Sequence, residues 1–101
     1  MPVHLMRLRA PRPTFPGDMT AREGAAMGEH FAYWQGLAER GVAVVVGPVM
    51  DPAGAWGLAV VEAGSPDEAQ GLADADPVIR AGLGFAYEIH PMGQAILRQA
   101  T

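Results

Sequence analysis

The sequence contains no cysteine and no lysine. Without cysteine, the chain cannot form disulfide bonds, use a thiolate nucleophile or bind a metal through sulfur. Its seven basic residues are all arginines scattered along the chain, and the formal net charge is -4. No cluster of positive charge is available to attract a nucleic acid or an anionic membrane. We therefore expect neither of these as a partner.

A long apolar run is also missing from the start of the chain. The first residues, MPVHLMRLRAPRP, are interrupted by arginine too early for a signal peptide or a membrane-spanning segment. Together with the lack of cysteine, this pattern predicts a cytoplasmic protein. The chain has 101 residues, of which 50% are hydrophobic and 18% are charged. That composition is typical of one small globular domain.

Turn and cap signals predict six elements in the order βαββαβ. Both helices begin at capping-box sequences, Thr20-x-x-Glu23 and Ser65-Pro66-Asp67-Glu68, in which the two side chains bond early backbone N–H groups. The predicted strands are 3–9, 42–46, 55–63 and 84–90, and the predicted helices are about 21–40 and 66–75. A short turn follows Asp76-Pro77, and the tail from residue 91 is either a helical turn or an extended arm.

This element order predicts an α+β protein with a ferredoxin-like fold. Two right-handed crossovers flanking a hairpin give a four-stranded antiparallel sheet with both helices on one face. The second strand, VAVVV at 42–46, is typical of a strand covered on both faces and is expected to end at Gly47-Pro48. Strands 2 and 3 carry more apolar residues than one layer of helices can bury. A second copy packing sheet to sheet would cover them, so we expect a homodimer.

His30 lies three residues after Met27 and four residues before Trp34, beside the apolar stripe of the first helix. Taken alone, it is more often a packed histidine with a hydrogen-bond partner than a catalytic one. Asp76 is the best candidate partner, because a carboxylate at a broken helix end can orient one imidazole nitrogen and make the other more basic. Taken alone, Asp76-Pro77 is equally typical of a turn.

Two other histidines raise the question of a metal site. His4 and His90 lie at the start of strand 1 and the end of strand 4, which are neighbours in a ferredoxin-like sheet, and Glu88 is close by in sequence. Zinc or nickel could bind there, but the compact H-x-H or H-x-x-x-H spacing is missing. The glycines at 82 and 84 are not followed by the helix of a dinucleotide-binding motif. The sequence therefore predicts no metal and no cofactor.

Five short segments carry a family resemblance when they are taken in order. They are His30 with Leu37-x-x-x-Gly41, Gly47-Pro48, SPDEA at 65–69, ADADP at 73–77, and Ala81-Gly82. In this order and spacing they resemble the YCII-related (YciI-like) family of the dimeric α+β barrel superfamily, over about residues 28–92. The resemblance implies a ferredoxin-like protomer that dimerises through its sheet. It also implies a pocket whose proposed active pair corresponds to His30 and Asp76.

The residues and the resemblance together predict a small-molecule enzyme. His30 and Asp76 are expected to perform general acid/base chemistry without a cofactor, in a lyase, an isomerase or a dehalogenase-like hydrolase. Met6, Trp34, Gly47 and Pro48 are expected to contact the substrate. The alternatives are a non-catalytic dimer that binds a metabolite, and a scaffold in which His30 is only a core residue. The loop at 10–19 is longer and richer in proline than is usual in the family, and it is expected to shape the substrate entrance.

Overall fold

The computed structural model describes residues 1–99, and within them the chain forms four strands and three helices. The elements are β1 (Val3–Arg9), α1 (Ala21–Glu39), β2 (Ala43–Val49), β3 (Trp56–Glu62), α2 (Pro66–Asp74), α3 (Pro77–Arg80) and β4 (Ala86–Pro91). All neighbouring strands are antiparallel, in the order β2-β3-β1-β4. The predicted ferredoxin-like fold is therefore confirmed.

The two long helices begin where the cap signals predict. Thr20 Oγ1 accepts from the backbone N of Glu23 at 3.1 Å, and Glu23 Oε1 accepts from the backbone N of Thr20 at 2.9 Å. The prediction of a second capping box is only half correct. Ser65 Oγ accepts from the backbone N of Glu68, but Glu68 Oε2 accepts from Gly64 at 2.6 Å. A Cβ at residue 64 would lie 2.9 Å from that oxygen, so glycine permits the close approach.

Strand β2 is longer than predicted, and one of its faces is open to solvent in the single chain. It continues through Pro48, which lies opposite Gly57, and ends at Val49. The strand lies at the edge of the sheet, where only one side bonds to a neighbour, and an edge position is where a strand tolerates proline. In the single chain one face of this strand is open, because Val45 is 50% exposed, and its cover by a second copy stays a prediction.

The helices cover one face of the sheet. Met6 of β1 and Val61 of β3 point toward them and are completely buried. They form a core with Trp34 and Leu37 of α1 and with alanines of α2. The opposite face carries Leu5, Val45, Leu58 and Val60, all of which are partly or largely exposed, as the alternation of strand side chains requires.

The proline-rich loop at 10–19 folds against the end of the sheet. Phe15 packs edge to face on Phe85, with ring centroids 5.2 Å apart. Arg12 ties the loop to α1: its Nη1 and Nη2 each lie 2.7 Å from a carboxylate oxygen of Glu23, and its Nε donates to Asp18 at 2.9 Å. Such a two-pronged pair fixes orientation as well as distance. The loop is thus held over the first turn of α1.

The tail after β4 forms neither a helix nor a strand over residues 92–99. Residues 100 and 101, which the prediction for the tail includes, lie outside the described residues. Within residues 1–99, no helix combines the length and the apolar character that crossing a membrane would require.

Dimerisation through the open face of the sheet stays a prediction, and the solution mass tests it. Light scattering after gel filtration should give twice the 10.6 kDa of one chain. Val60→Lys should give a single-chain mass, because it places a charge in the centre of the open face. Gln35→Lys, on the exposed side of α1, is the matched control. A wild-type mass of one chain would contradict the dimer.

The Arg12 pair predicts a specific loss of stability in acid. Hydrogen bonds from Arg12 and from the backbone of Thr20 lower the pKa of Glu23 from 4.5 to about 2. Because the folded state holds the depressed pKa, this stabilisation is complete above pH 4.5 and disappears as the pH falls toward 2. Urea unfolding at a series of pH values should show a shallower acid decline for Arg12→Met than for wild type. The exposed Arg22→Met is the control, and equal slopes for wild type and Arg12→Met would refute the assignment.

Candidate functional site

Three elements bring four side chains to one point beneath α1. His30 and Trp34 are four residues apart on α1 and therefore share a face of the helix. Asp76 caps the N-terminus of α3, where its Oδ1 accepts from the backbone N of Val78 at 3.0 Å. Tyr87 comes from β4. The break between α2 and α3 at Asp76-Pro77 is thus what presents the carboxylate.

The Asp76 carboxylate is completely buried and surrounded by donors. Its Oδ2 accepts from His30 Nδ1 at 2.7 Å, from Trp34 Nε1 at 2.9 Å and from the Tyr87 hydroxyl at 2.5 Å. Burial raises the pKa of Asp76, but these hydrogen bonds and that from Val78 together outweigh burial and lower it below its ordinary value. Asp76 therefore carries a negative charge at neutral pH.

The carboxylate fixes the tautomer of His30. An ionised carboxylate accepts hydrogen bonds and has no proton to donate, so the proton between the two groups is carried by His30 Nδ1. In the neutral ring the lone pair then lies on Nε2. Within residues 1–99 the only hydrogen bond of the ring is that of Nδ1, and the ring lines a cavity. The carboxylate thus fixes both the orientation and the tautomer of the ring.

Tyr87 is a site residue that sequence reasoning missed. Its hydroxyl donates to Asp76 and accepts from Trp34 Nε1 at 3.1 Å. Burial, and then the hydrogen bond to Asp76, raise the pKa of Tyr87 well above its ordinary value, so the hydroxyl stays protonated and remains a donor. Tyr87 shares a face of the last strand with Phe85 and Ile89, as the alternation of strand side chains predicts. Nothing in the sequence indicated that its hydroxyl reaches the carboxylate.

A cavity of about 290 Å³ lies beside His30, between α1, the loop at 10–19 and strands β2 and β3. On the sheet side, β3 contributes the small residues Gly57 and Ala59 to its wall. Trp34, Gly47 and Pro48 line the cavity. Their contact with a substrate remains a prediction.

Met6 does not lie where sequence reasoning placed it. It is completely buried in the core with Trp34 and Leu37, and it is not part of the cavity wall. In β1, it is Leu8 that reaches the cavity, two residues further along the same face. The expected substrate contact of Met6 is therefore wrong.

The histidine pair considered for a metal is separated by the sheet. His4 lies opposite Pro91, whereas His90 lies opposite Leu5, so the two side chains point to different faces. His4 is buried with its Nε2 3.3 Å from the carbonyl oxygen of Ala63, and His90 is exposed. Among residues 1–99, no group of three or more histidine or carboxylate side chains is arranged to hold a metal ion.

Comparison with known proteins identifies a family for the chain. The model of the YCII-related domain matches residues 4–93. None of the curated proteins matches the chain. Among solved structures, the chain is similar to 5-chloro-2-hydroxyhydroquinone dehydrochlorinase (TftG) from Burkholderia phenoliruptrix AC1100, in complex with 2,5-dihydroxybenzoquinone. The TM-score is 0.64 and the identity 24%, over 91% of this chain and 95% of that chain. At this identity the likeness shows a common fold.

Because four donors surround the Asp76 carboxylate, we predict that replacing it with an amide lowers the stability of the fold. Both carboxylate oxygens accept hydrogen bonds, so in Asp76→Asn the amide NH₂ must face at least one donor. We expect the free energy of unfolding to fall by about 1–3 kcal/mol, measured in urea. Asp74→Asn is the matched control, since Asp74 is exposed and accepts from Gln70 alone among the described residues. Equal effects of the two changes would contradict the role given to Asp76.

Proposed function

The chain belongs to the YCII-related family, and from the geometry of its site we propose that it is an enzyme that transfers a proton on a small cyclic molecule. His30 is the proposed general acid and base, and Asp76 orients it. The observation that carries this proposal is the 2.7 Å contact between His30 Nδ1 and the buried Asp76 carboxylate. That contact leaves Nε2 as the proton acceptor beside the cavity.

In the proposed mechanism, His30 Nε2 accepts a proton from the bound molecule. The ring becomes positively charged next to the Asp76 carboxylate, which stabilises the imidazolium without taking its proton. Nε2 then returns the proton to another atom of the substrate or to a leaving group. Positioned proton transfer of this kind contributes about 10²- to 10⁴-fold to a rate. Trp34 and Tyr87 are positioning residues, because they act by holding Asp76.

Two reaction types follow from removing a proton in this way. Returning it to a different atom gives an isomerisation, and loss of a neighbouring group gives an elimination. The structural neighbour is named a dehydrochlorinase, and loss of hydrogen chloride is an elimination of this type. A lyase, an isomerase or a dehalogenase-like enzyme therefore fits the site equally, and none of these steps needs a cofactor.

A non-catalytic binding protein is the second candidate, and one observation favours it. Among the residues that the structure describes, the cavity wall contains no polar side chain to stabilise negative charge on a substrate apart from His30 itself and side chains already bonded to Asp76 or Asp51. In that case Nε2 would only accept a hydrogen bond from a ligand. Binding would then occur without proton transfer.

Deuterium exchange separates the two candidates before the natural substrate is known. 2-Tetralone is a neutral two-ring ketone with an acidic C–H group, and its exchange in D₂O is followed by proton NMR. We expect wild type to accelerate the exchange about 100-fold or more over His30→Gln. Tyr87→Phe should reduce the rate less, since Asp76 keeps its other donors. His90→Gln, on the opposite face of the sheet, should match wild type.

Equal exchange rates for wild type and His30→Gln, with both proteins folded by circular dichroism, would refute the proposed proton transfer. Binding of 2-tetralone without exchange would favour the non-catalytic candidate. Release of chloride from 5-chloro-2-hydroxyhydroquinone would then show whether a dehydrochlorination like that named for the neighbour also occurs.

A further inference from the structure

We propose that the cavity beside His30 selects an uncharged aromatic molecule of two fused rings that carries one hydroxyl group. This substrate class rests on the proposed function, because the hydroxyl group is placed at the same nitrogen that would transfer the proton. The proposal follows from three properties of the wall: its free polar atoms, its charge and its size.

The wall offers a ligand one free polar side-chain atom among the described residues. Four lining side chains contain nitrogen or oxygen: His30, Trp34, Trp56 and Tyr87. The indole N–H of Trp34 and the hydroxyl of Tyr87 are bonded to Asp76, and the indole N–H of Trp56 donates to Asp51 at 3.3 Å. His30 Nδ1 is also bonded to Asp76. Only Nε2 is left, and as a lone-pair acceptor it matches a single hydroxyl donor.

The charges around the cavity disfavour an anion. The lining residues include no arginine, and Arg12 of the adjoining loop is already bonded to Glu23 and Asp18. The buried Asp76 carboxylate is bonded to the other nitrogen of the same ring. A carboxylate or phosphate bound here would lose hydration with no cation among the lining residues to replace it while His30 is neutral. A neutral hydroxyl group does not incur this cost.

The volume of the cavity and the side chains that line it indicate how many rings the ligand has. An apolar cavity of about 150 Å³ accommodates one benzene ring. The present cavity, at about 290 Å³, has room for roughly two. Its wall includes the rings of Phe15, Phe31 and Phe85, which favour edge-to-face contact with a flat aromatic ligand. The remaining wall is mostly aliphatic, which suits the rest of a ring system better than further hydroxyl groups.

Calorimetric titration near neutral pH with three probes tests the class. 2-Naphthol has the proposed size and hydroxyl group, phenol has one ring, and 2-naphthoate has two rings and a negative charge. We expect wild type to bind 2-naphthol at least tenfold more tightly than either of the others. His30→Leu should weaken 2-naphthol about three- to tenfold, the effect of one lost hydrogen bond. His90→Leu should have no effect, because His90 is exposed on the opposite face.

A pair of adjacent valines provides the control for location. Val46 lies opposite Ala59 and lines the cavity, whereas Val45 lies opposite Val60 on the open face of the sheet. Val46→Phe should abolish binding of 2-naphthol by filling the space, and Val45→Phe should preserve it. Equal weakening by the two changes would overturn the assignment to this cavity.

The remaining outcomes separate this inference from the proposed function. Phenol or 2-naphthoate binding as tightly as 2-naphthol would overturn the size or the charge preference, and failure of all three probes to bind would overturn the proposal altogether. None of these results would affect His30-dependent exchange of 2-tetralone. Conversely, selective binding of 2-naphthol that is lost in Val46→Phe, without any exchange, would support the ligand class and refute the enzyme.

Discussion

A buried carboxylate destabilises a protein unless donors replace its lost hydration, and Asp76 obtains four donors from three different elements. Two come from α1, one from the first turn of α3 and one from β4. None of these elements can supply the full set alone. The charge is therefore tolerated only when helix, corner and strand are assembled, so the site and the packing of the fold depend on the same contacts.

Contacts of buried carboxylates position α1 at two of its turns. At the first turn of the helix, the Glu23 carboxylate is held by Arg12 of the proline-rich loop. At the third turn, His30 is held by Asp76. The cavity lies between the loop and the strands, beside this helix. The first contact thus holds the loop that forms one wall of the cavity, and the second orients the His30 ring beside it.

The parts of the structure that sequence predicts are those with local causes. Thr20 and Glu23 specify the start of α1, and Asp76-Pro77 specifies the corner, because caps and proline act within a few residues. The pairing of His30 with Asp76 was a reasonable hypothesis for the same reason, since each position has a local signal. The strand register has no such signal. It determines that His4 and His90 point to opposite faces, and that Pro48 continues an edge strand.

The cavity is the feature least predictable from sequence, because it forms where the side chains of α1 and β3 do not fill the space between them. Ala59 is unremarkable in a strand, and only its position in the cavity wall beside α1 gives its small size a consequence. Such space has an energetic cost, since larger apolar side chains there would gain contacts with the helix. A sequence selected for stability alone would fill it. That no described side chain fills the space beside a carboxylate-oriented histidine is a physical argument for a bound molecule, and it is independent of family resemblance.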